Sequence, residues 1–526
     1  MGQVRILDCT LRDGGRCFGN TWGDENIKSI SYGLAKSNID IIEIGFLYYI
    51  ADGICRENMT HFREFSEVEP FLYPNQNYVI YVEHIVFAKG SFEIIPKEKS
   101  SISGIRLGIL KNEIYDAVKT MKDIINKGYQ LYVQGINILS YSKEELLEFI
   151  SVVNEVKPYA FAIVDTFGNL ELDELIERFE LINKHLNRDI VITLHSHNNK
   201  QLSFALAVTF MKISSERDIV IDGTLCGIGM GAGNLNTELI AQYLNEKNGI
   251  KYDINILSNL IDKYIKKFQK KFSWGYSVVA YDAAGNWRSQ MEVSYITTKY
   301  HMIPLEEQRY LLAMCPINNG IEMERIDGFY KLLHADFPDM DNHFEKLKKV
   351  LSKKRIVLVG RGPSVSENKE KIEEIVKKND AVVIYINAHS DEVLNVNLEK
   401  QYYFFTREAC YQYFIKNYCV DNIISFAGFC KEDGLQKNVK NEYVLHLKQI
   451  VENPEQVFDD GVIWGLNVLN TMFCNIRIDI AGFDGSDANS LQIQKYKDFL
   501  LILKKNNTIH FLTDSVYEDV EKEDIL

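Results

Sequence analysis

The stretch Asp189-Ile190-Val191-Ile192-Thr193-Leu194-His195-Ser196-His197-Asn198-Asn199 decides how the first half of the chain is read. Its apolar half has the length and composition of a buried β-strand. In an extended chain residues i and i+2 face the same side, so His195 and His197 offer two imidazoles to one point in space. Two neutral imidazoles suit Zn, Mn, Fe or Co. A carboxylate joining them would complete a catalytic rather than a closed structural site.

Outward from this strand, apolar runs of similar length recur at 4–8, 39–46, 78–82, 104–109, 129–134, 159–165 and 218–223. Segments with a helical period separate most of them, at 24–37 (with Asp24 as N-cap), 142–156 and 171–186. Eight such strands in roughly 240 residues predict a (β/α)8 barrel, assigned to residues 1–285. Chemistry in that fold sits at the C-terminal ends of the strands. There the sequence puts Arg12, Asp13, Glu43, Gln134, Asp165, Thr166, His195, His197 and Asp222. The glycine-rich loop Gly227-Ile228-Gly229-Met230-Gly231-Ala232-Gly233-Asn234 follows, able to bring backbone close to a ligand and to turn amides toward an anion. No predicted barrel strand ends in lysine, which argues against Schiff-base chemistry.

Thr10-Leu11-Arg12-Asp13-Gly14, Asp165-Thr166-Phe167-Gly168, His195-Ser196-His197-Asn198 and Gly229-Met230-Gly231-Ala232-Gly233-Asn234 occur in this order at strand ends. Together they resemble the metal-dependent aldolase and lyase superfamily of 4-hydroxy-2-oxovalerate aldolase, hydroxymethylglutaryl-CoA lyase and isopropylmalate synthase. The segment from Trp274-Gly275-Tyr276-Ser277 through Tyr295 is similar to the post-barrel segment of the aldolases. The resemblance implies that Asp13, His195 and His197 hold a divalent metal, Mn or Mg, with Asn234 at or beside it. It implies that Arg12 stabilises an enolate oxygen, the charge that develops when a C–C bond next to a carbonyl is made or broken. Thr166 is a candidate for the substrate carboxylate, and Glu43 for orienting Arg12. The substrate expected is a 2-oxo acid, with pyruvate as enolate donor.

One position departs from the aldolase pattern. Where those enzymes carry an acid/base histidine three residues after the metal aspartate, this chain has Arg16. Arginine does not exchange protons near neutral pH. Either another group moves the proton, with Tyr276, Tyr281 and a metal-bound water as candidates, or Arg16 binds an anionic substrate group. The post-barrel His-Pro-x-Tyr is also replaced, by Glu292-Val293-Ser294-Tyr295.

Composition bounds the rest. The chain has 526 residues, too many for one core, and a net charge of -14 that argues against nucleic acid as the main partner. Its nine cysteines form no Cys-x-x-Cys pair, which points to reduced thiols and a cytoplasmic protein. The N-terminus enters a strand directly, and no apolar run is long enough to span a membrane. A homo-oligomer is compatible with all of this.

Residues 286–350 read as a helical cap or linker, with charge runs that suit a solvated face. A second α/β domain is expected over 351–526. The strand Ile356-Val357-Leu358-Val359 feeds Gly360-Arg361-Gly362-Pro363-Ser364 and then a helical segment at 367–378. That is the layout of phosphate binding at a helix N-terminus, without the third glycine of the dinucleotide fingerprint. Further strands are predicted at 381–387, 402–405, 422–426 and 478–485, and Gly461 opens an apolar helix. Gly360-x-Gly362-Pro363-Ser364, Asn387, Gly461 and Gly482-x-Asp484 resemble Rossmann-like domains of bacterial CMP-sugar sialyltransferases. The resemblance implies a nucleotide or nucleotide-sugar held by Gly362, Ser364 and Asn387. Two activities are then open. One is a metal-dependent aldolase, with surface-polysaccharide synthesis as a setting for it; the other is a nucleotide-sugar transferase with the barrel secondary. A metal-free scaffold is the third reading and is opposed by the intact Asp13, His195 and His197 set.

Overall fold

Eight parallel strands of the N-terminal half close on themselves. They are β1 (Val4–Asp8), β2 (Ile41–Leu47), β4 (Tyr78–Glu83), β5 (Gly104–Ile109), β6 (Gln130–Gly135), β7 (Ala160–Asp165), β8 (Val191–Ser196) and β9 (Ile219–Gly223), and pairing of β1 with both β2 and β9 seals the cylinder. A two-residue strand, β3 (His61–Phe62), pairs with β2. The computed structural model describes residues 2–48, 58–88, 94–214, 216–315, 323–335, 337, 339–388, 394–429, 439–450, 460–485 and 490–522. Cys55 and Cys430 lie outside these residues, and the seven described cysteines are free.

The strands form on mainly apolar runs, as expected of parallel strands covered on both faces, with single charged residues such as Glu43 and Arg106 inside them. Ile41, Ile42, Ile44, Ile105, Leu107, Ile192 and Leu194 are fully buried. Local signals set the helix boundaries. Ser142 caps Lys143–Val156 through a capping box with Glu145. The helix Asp24–Lys36 takes Gly23 as its N-cap, not the expected Asp24, whose carboxylate instead accepts from the Asn58 amide at 3.0 Å. Gly45 lies in β2 at φ +153°, where a Cβ would run into the Thr60 carbonyl. That glycine coincides with a shift of register between β2 and β4.

Contacts divide the chain into two units, Met1–Leu305 and Glu306–Leu526, with the division inside the helical stretch expected at 286–350. In the second unit, β10 (Ile356–Val359), β11 (Val382–Ile386), β12 (Gln401–Phe404), β13 (Val420–Phe426), β14 (Val439–Leu445), β15 (Arg477–Ala481) and β16 (Thr508–Phe511) form a wholly parallel sheet. Their order is β14-β13-β12-β11-β10-β15-β16. Connections run one way from β10 and then reverse between β10 and β15, which opens a crevice at the carboxyl ends of those two strands. The reading from sequence did not anticipate β14 and β16. No described helix is long and apolar enough to cross a membrane.

Candidate metal centre

At the mouth of the cylinder, three side chains from distant parts of the chain converge. Asp13 follows β1, His195 lies in β8 and His197 just after it. One ligand atom from each lies within 4.8 Å of the others, and all three residues are buried. Asp13 Oδ2 is 3.8 Å from His195 Nε2 and 3.4 Å from His197 Nε2.

Each imidazole is oriented from behind. His195 Nδ1 pairs with Asp222 Oδ2 at 3.1 Å, and His197 Nδ1 donates to the Asp165 backbone carbonyl at 2.6 Å. These bonds fix the tautomers and turn both Nε2 atoms toward Asp13, the arrangement that metal-binding histidines need. Burial holds His195 below its ordinary pKa. For His197 burial also opposes the charge, but Asp13 and the Asp165 carbonyl outweigh it and the value rises. Burial likewise opposes charge on Asp13, yet Arg12 and the two imidazoles hold it well below the usual carboxylate range.

The glycine-rich loop delivers a fourth group. Asn234 pairs with His197 across a β-bridge, and its Nδ2 donates to the Ile228 carbonyl at 3.1 Å. Its Oδ1 is buried with no hydrogen-bond partner among the described residues. Gly233 takes φ +74°, and a Cβ there would strike the Gly227 carbonyl. Several of the loop amides are bonded inside the protein. Those of Gly227, Gly231, Gly233 and Asn234 go to Thr224 O, Ser294 Oγ, Met230 O and Gly227 O. These bonds and the close approach at Gly233 make a tight fold that positions Asn234.

An ion-pair network lies beneath. Arg12 Nε is 2.7 Å from Glu43 Oε2, and its Nη1 is 2.5 Å from Asp13 Oδ1. Nη2 of Arg12 has no partner among the described residues, and the guanidinium lies 4.8 Å from the Tyr81 ring centre. Arg106, from the middle of β5, pairs with Glu43 at 3.0 Å and with Asp222, and donates to Gln134 Oε1 at 2.9 Å. Arg106 escaped the reading from sequence. The signal was available: a lone arginine inside a buried strand must meet carboxylates.

Arg16 stacks on Phe46 at 4.9 Å and reaches two carboxylates loosely, Asp13 at 3.5 Å and Glu83 at 3.7 Å. Thr166 Oγ1 accepts from the Asn137 amide at 2.7 Å, which leaves its proton free to donate. Arg12, Asp13, Arg16, Tyr81, Glu83, Gln134, Thr166, His195 and His197 line one cavity of about 220 Å³. Met230 from the glycine loop and Ser289, Gln290 and Met291 complete its wall. Gln290 is tied across the mouth by bonds to the Phe167 carbonyl and the Asn199 side chain, at 2.8 and 3.0 Å. Tyr276 is not brought to the cavity. It is 75% exposed, and Tyr281 is 52% exposed.

In the second unit a crevice of about 540 Å³ opens where the strand order reverses, lined by Gly362, Asn387, Arg361, Arg407, Asp460 and Asp484 among others. The residues expected to hold phosphate there already have partners. Ser364 N donates to Asp484 Oδ2 at 3.0 Å and Ser364 Oγ to Asp484 Oδ1 at 2.5 Å. Asn387 is bonded through both side-chain atoms to Thr406, at 2.8 and 2.9 Å. A Cβ on Gly362 would meet the Asp484 carboxylate.

Residues 103–262 match the family model described as HMGL-like. The chain is 24% identical over 264 residues to 4-hydroxy-2-oxovalerate aldolase of Bacillus cereus, a match covering 48% of this chain and 72% of that one. It is 25% identical over 257 residues to the enzyme of the same name from Geobacillus thermodenitrificans, with the same coverage. Among solved structures, hydroxymethylglutaryl-CoA lyase from Pseudomonas aeruginosa aligns with a TM-score of 0.41 and 14% identity, over 53% of this chain and 96% of that one. Residues 103–262 of the barrel are thus similar to the HMGL-like family. Its homologues bear the name 4-hydroxy-2-oxovalerate aldolase. HMGL-like aldolases depend on a divalent metal, and the residues here fit one: two imidazoles with fixed tautomers, an ionised carboxylate and an orphaned amide oxygen.

Proposed function

We propose that the barrel is an aldolase that makes or breaks a C–C bond beside the carbonyl of a small 2-oxo acid, with pyruvate as the enolate donor. Asp13, His195 and His197 would hold a divalent metal, Mn or Mg, and Asn234 Oδ1 would lie at its edge. When bound, that ion supplies a fixed positive charge for the 2-oxo and carboxylate oxygens. Arg12 offers its free Nη2 to the developing enolate oxygen, and Glu43 and Asp13 hold it there, so no reorganisation is needed as charge builds. Thr166 donates to the substrate carboxylate. Gln290 and Met291 cover the cavity and limit water. The observation that carries this reading is the convergence of Asp13, His195 and His197 within 4.8 Å.

The test is metal analysis of the wild type against His195→Ala and Asp13→Ala, coupled to pyruvate release from a panel of 4-hydroxy-2-oxo acids. Both variants are expected to lose metal and pyruvate release together. Metal lost while activity persists would end the assignment.

A second reading concerns the crevice of the C-terminal unit. We infer that it binds a nucleotide or nucleotide-sugar, with Arg361 and Arg407 taking the phosphates rather than the Ser364 amide. Two exposed guanidiniums at a topological switch point favour this. CMP and CDP are expected to raise the melting temperature of the full chain, and Arg407→Ala to abolish that rise. No rise in the wild type would remove this reading.

A further inference from the structure

Replacement of the expected histidine by Arg16 leaves the reaction without an obvious proton carrier. Making an enolate from pyruvate breaks a C–H bond at C3, and a base must take that proton. It must later give the proton to the aldehyde oxygen as the new C–C bond forms.

The described residues lining the cavity offer few candidates. Asp13, His195 and His197 are committed to the metal position. Arg12 and Arg16 hold their protons. Burial raises the Tyr81 phenol far above its ordinary range, so it gives up its proton poorly. Tyr276 and Tyr281 stand out in solvent. His61 on β3 stacks beside Phe46, 5.0 Å between ring centres, but does not line the cavity. Glu83 remains, the last residue of β4, where barrel chemistry is placed. Its side chain lines the cavity and is 42% exposed, so solvent reaches it.

Arg16 explains how Glu83 is held. Its guanidinium reaches Asp13 through Nε, at 3.5 Å, and Glu83 through Nη2, at 3.7 Å. Glu83 and Asp13 thus share one guanidinium and line the same cavity. Both contacts are longer than a tight ion pair, so the carboxylate is steered without being consumed.

We propose that Glu83 is the acid/base residue of this site, with Arg16 as its positioning residue. The claim rests on the aldolase reading above. One Glu83 oxygen takes the C3 proton of pyruvate, and the C–H electron pair becomes the enolate facing Arg12. C3 then attacks the aldehyde carbon, the aldehyde oxygen takes the proton back from Glu83, and the carboxylate is regenerated. Cleavage runs the same steps in reverse.

The test uses the full chain loaded with Mn2+ and two named probes. Exchange of pyruvate methyl protons in D2O, followed by NMR, requires the base. Decarboxylation of oxaloacetate reaches the same enolate by loss of CO2 and requires none. Glu83→Gln keeps the shape and still accepts from Arg16, so a purely structural role would survive it. The expected result is a fall in exchange of about 10²–10⁴-fold, the usual worth of a positioned acid/base group. The decarboxylation rate should fall far less, and Mn2+ content should stay at the wild-type level. Exchange that is unaffected overturns the proposal, as does an equal fall of both reactions or a loss of Mn2+. A wild type that performs neither reaction overturns the aldolase reading, and this proposal with it.

Discussion

The barrel mouth and the crevice of the C-terminal unit are both openings at the carboxyl ends of parallel strands, yet their polar atoms are in opposite states. In the barrel, bonds from behind orient the groups and leave their working atoms unmet. Both imidazole Nε2 atoms face Asp13, and Asn234 Oδ1 and Arg12 Nη2 have no partner among the described residues. In the crevice, Ser364 and Asn387 spend their donors on Asp484 and Thr406. Buried polar atoms left unpaired carry a cost, so a chain that leaves several converging on one point has a reason to do so. Position in the fold marks where a site can be. Unmet atoms mark where one is built.

The comparison breaks first at Arg106. If the barrel mouth is held ready by its ion pairs, removing their central cation must be severe. Arg106→Met leaves the Glu43 and Asp222 carboxylates buried without their shared partner. Breaking a buried pair on one side costs about 3–5 kcal/mol, readable in urea unfolding. A loss below about 1 kcal/mol would mean the network does not depend on this cation.

Asp8 gives the next largest effect and the pH dependence. This carboxyl is fully buried and bonded to Thr10 N and Thr237 Oγ1, with no ion pair to a cation among the described residues. Burial raises its pKa to about 7. Between roughly pH 4 and 7 the folded chain keeps this proton while the unfolded chain releases it, so stability falls as pH rises through that window. A tenfold difference in proton affinity between the two states is worth about 1.4 kcal/mol. The stability of the wild type relative to Asp8→Asn is therefore expected to drop by a few kcal/mol from about pH 4.5 to about pH 8. A flat difference would show that Asp8 is already ionised when folded, as Asp13 is.

Asp222→Asn isolates orientation from ligation. It keeps the size of the side chain but weakens the hold on His195 Nδ1. Losing such an outer partner typically lowers metal affinity about 10–100-fold, to be read by Mn2+ titration. Unchanged affinity would make the Nδ1 contact incidental.

What was legible follows from these physics. The eight barrel strands could be read because parallel strands buried on both faces are unbroken apolar runs. His195 and His197 could be read as a pair from ligand type and i, i+2 spacing on a strand, whereas Asp13 joined them only through the resemblance. Two elements of the second sheet were missed for the converse reason: Val439–Leu445 carries Lys440, Asn441 and Glu442, and Thr508–Phe511 is only four residues long. Both are edge strands, where one side need not be covered. The role of Arg106 was hidden because pairing across a barrel depends on register, which one strand does not reveal. Glu83 falls one residue past the apolar run 78–82, so the strand end expected from sequence stops short of it. Tyr276 was named from a resemblance in the segment after the barrel, and exposure there is decided by packing that a local motif does not encode.

The smallest expected effect sharpens the other half of the comparison. If the Ser364 amide is committed to Asp484, it is protected from exchange with solvent, and Asp484→Ala should release it. The side-chain bond and the amide bond go together, and each neutral-to-charged hydrogen bond contributes about 1.5–3 kcal/mol. Local opening is limited by the helical turn Ser364–Glu367, which also breaks, so about a tenfold faster exchange is the expected reading by mass spectrometry of peptides spanning residue 364. CMP added to the variant should then restore protection, because a phosphate can take the place the carboxylate left. Exchange as slow in Asp484→Ala as in the wild type would mean the amide has a different partner in solution. The crevice would then have to be grouped with the barrel mouth, as a place where donors stand ready for a ligand.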